Sequence, residues 1–282
     1  MEHEAGIRLG FFFGILALVA LGELLFPRRA LRTSRKVRWL SNLGVVAVDT
    51  LAVRLLFPVL GVGVAMAAQE KGWGLLNLLA LPEWLAMLIG ILVLDLVVYL
   101  QHAMFHTMPI LWRLHMMHHA DLDIDVTTGL RFHPLEIVIS MVIKLTVIAA
   151  LGPSALTVIL FEIILNGTAM FNHGNIRLPL ALDRGLRLLV VTPDMHRVHH
   201  SVTIRETNSN FGFNFPWWDR LFGTYRAQPV LGHEQMAIGL AQFRDAGKNH
   251  LWHMLIMPFT DPPGSYAIDR HGIDPEKLRK QG

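Results

Sequence analysis

The chain has 282 residues, of which 52% are hydrophobic and only 17% charged, whereas about a quarter of a soluble domain is charged. That balance excludes an ordinary soluble enzyme and fits an all-α integral membrane protein with four to five transmembrane helices and one polar cap. Cysteine is absent, which excludes disulfides, haem-thiolate ligation and iron–sulfur clusters, and a formal charge of +3 is too small for a nucleic-acid-binding surface.

The first apolar segment, Ile7 to Phe26, follows acidic residues and shows no small-residue cleavage site, so it reads as a retained helix and not a signal peptide. Arg28, Arg29, Arg32, Arg35, Lys36 and Arg38 come next, and the positive-inside rule places that loop in the cytoplasm. A second span, Leu43 to Ala68, contains Arg54 and Pro58, which predicts a kink or a break. The connection Gln69 to Pro82 should face the opposite side, and a third span, Trp84 to Leu100, returns to the basic side. From Leu135 to Met170 the chain is again apolar, split by Leu151-Gly152-Pro153-Ser154 into halves that suit a helical hairpin. The polar and aromatic stretch from Asn172 to Arg226 is expected to form a cytoplasmic cap. Leu251 to Met257 is too short to span and suits a helix lying at the membrane interface, and Asp274 to Gly282 reads as a solvated end. The expected organisation is N-terminal transmembrane helices over 1–90, a catalytic domain over 91–228 with its hairpin at 135–171, and an interfacial tail over 229–282.

Three histidine boxes carry the chemistry: His102-x-x-x-His106, His115-x-x-His118-His119 and His196-x-x-His199-His200. Histidines three and four residues apart share a helix face, so each box is expected to present a converging set of nitrogens. With His173 there are nine candidate ligands, and one tetrahedral zinc uses only four. A pair of metal ions held almost wholly by imidazole is the simplest reading. Imidazole suits zinc, copper, iron or nickel, but four or five ligands per ion and a lipid-facing protein favour redox-active iron.

Other polar residues are graded against this site. Asp95, Tyr99, His102 and His106 fall on one helical stripe, so Asp95 could support the ligands or form a salt bridge with Arg54 or Lys144. Glu162 lies eleven residues before His173 on its segment. Asp194 could orient the His196 ring through its other nitrogen, and His133 is a further ligand, a supporting group or only a helix-entry residue before Pro134. His3, His233, His250, His253 and His271 are isolated and read as ordinary. Phe211, Phe213, Phe215, Trp217 and Trp218 form either a lipid-binding wall or cap packing.

The order of the boxes, with eight residues between the first two and a long apolar hairpin before the third, resembles the fatty acid hydroxylase/sterol desaturase superfamily. Phe132-His133-Pro134-Leu135-Glu136, Asn172-His173-Gly174-Asn175, Thr192-Pro193, Asn210-Phe211-Gly212 and Trp218-Asp219-Arg220-Leu221-Phe222-Gly223-Thr224 extend the likeness over Leu92 to Arg226. The last string is most similar to the bacterial sterol-desaturase-like and alkylglycerol-monooxygenase-like branches. The resemblance implies a di-iron enzyme of the bacterial inner membrane that hydroxylates or desaturates a sterol-like, fatty-acyl or alkylglycerol lipid. It implies two irons per chain, O2 as co-substrate, two electrons from a separate donor protein, and an active site facing the cytoplasm. Carried over by position, the metal ligands and catalytic residues are His102, His106, His115, His118, His119, His173, His196, His199 and His200.

Three rival readings differ in what they require. A metal transporter should carry its ligands near the bilayer midplane on broken helices, whereas here they sit at helix ends. A bis-His haem protein needs two axial ligands per haem, and a zinc membrane protease needs His-Glu-x-x-His, which does not occur.

Overall fold

The computed structural model describes residues 4–268. His3, His271 and Asp274–Gly282 therefore lie outside the described residues, as does the end of the interfacial tail. Helix α1 (Glu4–Leu25) is followed by the basic loop and then α2 (Arg35–Leu56). The predicted break is present: Phe57 is extended before Pro58, which disfavours helical backbone in the residue preceding it, and the chain resumes as α3 (Gly61–Glu70). α2 begins well before the expected Leu43, because its first turns bury Arg38, Ser41 and Asn42 against the loop after the second box. A short α4 (Leu75–Leu78) leads to α5 (Glu83–Thr107), which holds His102 and His106 inside the helix itself.

Pro109 restarts the chain as α6 (Pro109–His119), and the hairpin consists of α7 (Pro134–Leu151) and α8 (Ala155–Asn172). Its turn is built as the sequence predicts. Gly152 takes the left-handed conformation that ends α7, and the Ser154 hydroxyl accepts the Thr157 N–H to start α8. The cap is made of short pieces: α9 (Leu180–Leu186), α10 (Pro193–His199), α11 (Ile204–Thr207), α12 (Trp217–Leu221) and α13 (Gly232–Gln235). α14 (Leu251–Thr260) closes the described chain. No β-strand occurs among the described residues, only isolated bridges such as Pro27 with Ile176.

Five segments are long and apolar enough to cross a membrane, and the architecture is that of an all-α integral membrane protein. Large apolar side chains such as Leu18, Leu40 and Leu55 point outward, as a lipid solvent permits. The inner faces of α3, α5, α7 and α8 meet around Leu94, Ile148, Val158 and Phe161. At one end, the connection between α3 and α5 touches the hairpin turn so closely that a Cβ on Gly74 would lie 2.4 Å from the Gly152 nitrogen. At the other end the basic loop docks on the box segments: Arg28 N–H donates to Asn175 O, Arg32 N–H to the Asp123 carboxylate, and Arg38 to Asp121. The basic loop and all three boxes thus share one end of the bundle. α14 packs one face on the bundle and leaves the other exposed. Met254 and Met257 are buried against Trp112, Met116 and Val45, while Trp252 and Phe259 on its other face stay exposed.

Candidate metal centre

Local signals position the second and third boxes, while His102 and His106 ride on α5 itself. Pro109 at the first turn of α6 fixes the angle at which His115, His118 and His119 leave α5. Thr192 caps α10 through its hydroxyl, and Pro193 at the first turn then delivers His196, His199 and the terminal His200. His173 is the C-terminal cap of α8.

The nine histidines gather, fully buried, into two groups. His102, His106, His115, His119 and His199 form one, and His118, His173, His196 and His200 form the other, with nitrogens in each group within 4.8 Å of one another. The expectation that each box converges as a unit needs correction. Both His-x-x-His-His boxes divide: His115 and His119 enter the first group and His118 the second, while His196 and His200 enter the second and His199 the first. The reason is helical rotation. Residues four apart lie nearly above one another, whereas the third histidine is turned toward the neighbouring group.

Hydrogen bonds fix the tautomers. The Nδ1 atoms of His102, His118, His173 and His199 meet the carbonyl oxygens of Phe211, Arg131, Ala169 and Ser209 at 2.7–3.1 Å. A carbonyl only accepts, so each Nδ1 carries the proton and each Nε2 presents a lone pair. His115 Nδ1 donates to Glu136 Oε1 at 2.7 Å, and His106 Nδ1 to Asn208 Oδ1 at 3.0 Å. The consequence is that His118 Nε2 and His173 Nε2 face each other at 3.2 Å with no proton between them. Likewise the Nε2 atoms of His102, His115 and His199 are buried acceptors without a donor. A cation resolves every one of these conflicts, and outer hydrogen bonds to carbonyls and a carboxylate are how ligating imidazoles are normally oriented.

Burial, and secondarily the neighbouring imidazoles, push His118, His119, His196, His199 and His200 well below their ordinary pKa. Burial lowers His173 to about 3 despite its carbonyl partner. The rings are therefore neutral, the form that ligates a metal.

A largely apolar cavity of about 320 Å³ opens beside the first group. Its walls include His102, His115, Phe105, Phe132, Phe161 and Phe213, and it extends between α1, α2, α5, α7 and α8. Phe132 stacks on His118 with ring centroids 4.5 Å apart. Phe211 and Phe213 are buried against the imidazoles, whereas Phe215 stacks on Trp217 in the cap. Of the aromatic run, Phe213 also lines the cavity, while Phe215 and Trp217 serve cap packing.

The supporting residues fall differently from expectation. Asp95 accepts Trp218 Nε1–H at 2.7 Å and Asn214 N–H at 3.3 Å, which locks the cap onto α5, and it pairs with neither Arg54 nor Lys144. Asp194 bonds Arg197 and Arg28, not His196, whose Nδ1 has no partner. His133 lies outside both groups: its Nδ1 caps α7 by accepting Leu135 N–H, and its Nε2 meets Leu255 O. Glu162 holds Lys144 and Arg8. His233 is buried beside Gln228, and His250 and His253 are exposed. Sequence reasoning missed Glu136 and Asn208. Glu136 sits at the third position of α7, where an acid reads as an ordinary helix-start residue.

Residues 87–224 match the fatty acid hydroxylase family model. Among characterised proteins, the chain is 26% identical over 148 residues to the ornithine lipid hydroxylase OlsE of Rhizobium tropici, covering 52% of this chain and 44% of that protein. It is 27% identical over 162 residues to the alkylglycerol monooxygenase of Homo sapiens, covering 56% and 33%. The corresponding enzyme of Xenopus tropicalis is 27% identical over 173 residues, covering 58% and 36%. The chain therefore spans less than half the length of these relatives. No solved structure matches it. All nine clustered histidines fall within residues 87–224, the stretch that matches the fatty acid hydroxylase family model.

Proposed function

We propose that the chain is a membrane-bound di-iron oxidoreductase that hydroxylates a lipid. The observation that carries this reading is the facing pair of Nε2 lone pairs on His118 and His173, which only a cation reconciles. His102, His106, His115, His119 and His199 would hold one iron, and His118, His173, His196 and His200 the other. Iron there supplies O2 activation, with two electrons arriving from a separate donor protein. One oxygen atom enters a lipid C–H bond, and the other leaves as water with two protons. Hydroxylation is favoured over desaturation because the characterised relatives are named as hydroxylases and monooxygenases.

The protein's own residues divide the remaining work. Carbonyl oxygens and Glu136 keep the imidazoles in the ligating tautomer, and Phe132, Phe211 and Phe213 keep bulk water from the rings. The apolar cavity against His102 and His115 admits a hydrocarbon chain to the first group. In this reading residues 91–228 are the catalytic domain, 1–90 the N-terminal transmembrane helices and 229–282 an interfacial tail. The basic loop Arg28–Arg38 at the metal end supports a cytoplasmic active site, where reductant is available. A transport role is disfavoured because both histidine groups lie at helix ends and in the cap, away from mid-membrane.

The test is elemental analysis of anaerobically purified protein alongside lipid profiles of a host with and without the gene. Two irons per chain and a lipid gaining one oxygen are expected. A single iron at full activity, or unchanged lipids, would overturn the reading.

A further inference from the structure

Asp49 lies on the buried face of α2, on the stripe that also carries Arg38, Asn42 and Val45. It is 8% exposed, and its Oδ1 has no hydrogen-bond partner. The same residue lines the cavity that His102 and His115 close at their end. Around it the walls are mainly apolar, with Val46, Leu94, Val98, Leu130 and Phe161. Glu136, further along the same lining, accepts from His115 Nδ1 on Oε1 while its Oε2 also lacks a partner, and the remaining polar groups near Asp49 are held elsewhere. Lys144 and Arg8 both hold Glu162, and Gln101 Nε2 donates to Ser140 Oγ at 2.7 Å. The Asp49 carboxylate is thus a polar group with an unmet demand, placed in a chamber otherwise suited to hydrocarbon.

An acceptor buried without a donor is costly, and an ionisable group inside a spanning segment ordinarily marks a functional position. A plain alkyl chain in the cavity would leave Oδ1 unsatisfied. A chain ending in a hydroxyl or an ammonium would satisfy it, because both donate to a carboxylate. We infer that Asp49 is the substrate's polar anchor: the cavity takes a lipid bearing a hydroxyl or ammonium donor, which Asp49 binds while the attached hydrocarbon reaches toward His102 and His115. This rests on the lipid-oxidation reading, since it assigns the cavity to the substrate.

The test measures binding without turnover. Native mass spectrometry of the iron-loaded protein would follow three matched probes: hexadecanol, hexadecylammonium and hexadecyl methyl ether, which has no donor. At mildly alkaline pH, where the carboxylate is ionised, one or both donor-bearing probes should bind about tenfold more tightly than the ether, the ratio expected of one hydrogen bond to a charged group. Tighter binding of the alcohol identifies a hydroxylated lipid, and tighter binding of the ammonium a cationic one. Asp49→Leu should bring all three probes to similar affinity, while Asp49→Asn should keep a preference only for the alcohol. Unchanged iron content in both variants would show that the fold survives; if Asp49→Leu loses iron, Asp49→Ala, which likewise removes the acceptor, takes its place. Equal binding of all probes by the wild type, or an unaltered preference in both variants, would overturn the assignment. If the preference is found but no lipid gains oxygen in the host, the anchor stands and the oxidation reading fails.

Discussion

Arg38 grips both oxygens of Asp121, Nε to Oδ1 and Nη2 to Oδ2, each at 2.8 Å, with neither side chain exposed. The same guanidinium also bonds Asp125 and donates to Thr128 Oγ1 at 3.0 Å. It thereby ties the start of α2 to the loop that leaves the second box. Removing one partner from a buried ion pair costs about 3–5 kcal/mol, because the other charge is left uncompensated. Arg38→Met should lower the melting temperature and the iron content together. A variant that melts like the wild type would show that the clamp contributes nothing to holding the boxes.

The division of the boxes leads to a selective effect on stoichiometry. His118→Ala removes a nitrogen from the four-histidine group and His199→Ala from the five-histidine group. Each variant should lose one iron preferentially and all turnover. His253→Ala, on the exposed face of α14, should change neither. If iron per chain falls equally in all three variants, the two-group assignment fails.

Glu136 should matter although it touches no ion in this arrangement. Its carboxylate receives the His115 Nδ1 proton and so fixes which nitrogen faces the first group. Changing such a partner typically costs 10–100-fold in metal affinity or activity. Glu136→Gln keeps an acceptor but removes the charge. Iron affinity or kcat should drop by about that factor while the melting temperature of the metal-free protein hardly moves.

Sidedness can be read with introduced thiols, since the chain has no cysteine of its own. Ser34 and Ala227 are exposed at the metal end, and Lys71 is exposed at the end where Gly74 meets Gly152. In intact cells an impermeant thiol reagent should label Lys71→Cys only. Labelling of Ala227→Cys from outside would place the histidine groups on the outer face.

The bundle and the nine histidines were legible because they rest on local signals. Gly152 and Ser154 announce the hairpin turn, Pro58 announces the break after α2, and four-residue histidine spacings announce shared helix faces. What could not be read depends on contacts between distant segments. Carbonyl oxygens of Phe211 and Ser209 leave no trace in side-chain identity, so the tautomers they set were invisible. Asp95 shares a stripe with His102, yet it serves Trp218, a residue far along the chain that no periodicity connects to it. Asp194 stands two residues from His196 but is drawn to Arg28 and Arg197 by charge.

The partition of ligands also bears on how the protein is assembled. In a chain without cysteine, no covalent staple can join its segments. The first group gathers residues from 102 to 199 and the second from 118 to 200, so each bound ion would close loops of dozens of residues. Such closures withdraw conformational freedom from the unfolded chain, as a disulfide does. They also overlap: the first ion would clasp the end of α5 to α6 and α10, and the second the end of α8 to the same two helices. On the proposed di-iron reading, metallation would be a step in maturation as well as in catalysis. Chelation should loosen the cap into a protease-sensitive state while the α7–α8 hairpin, secured by its own turn and apolar faces, remains intact.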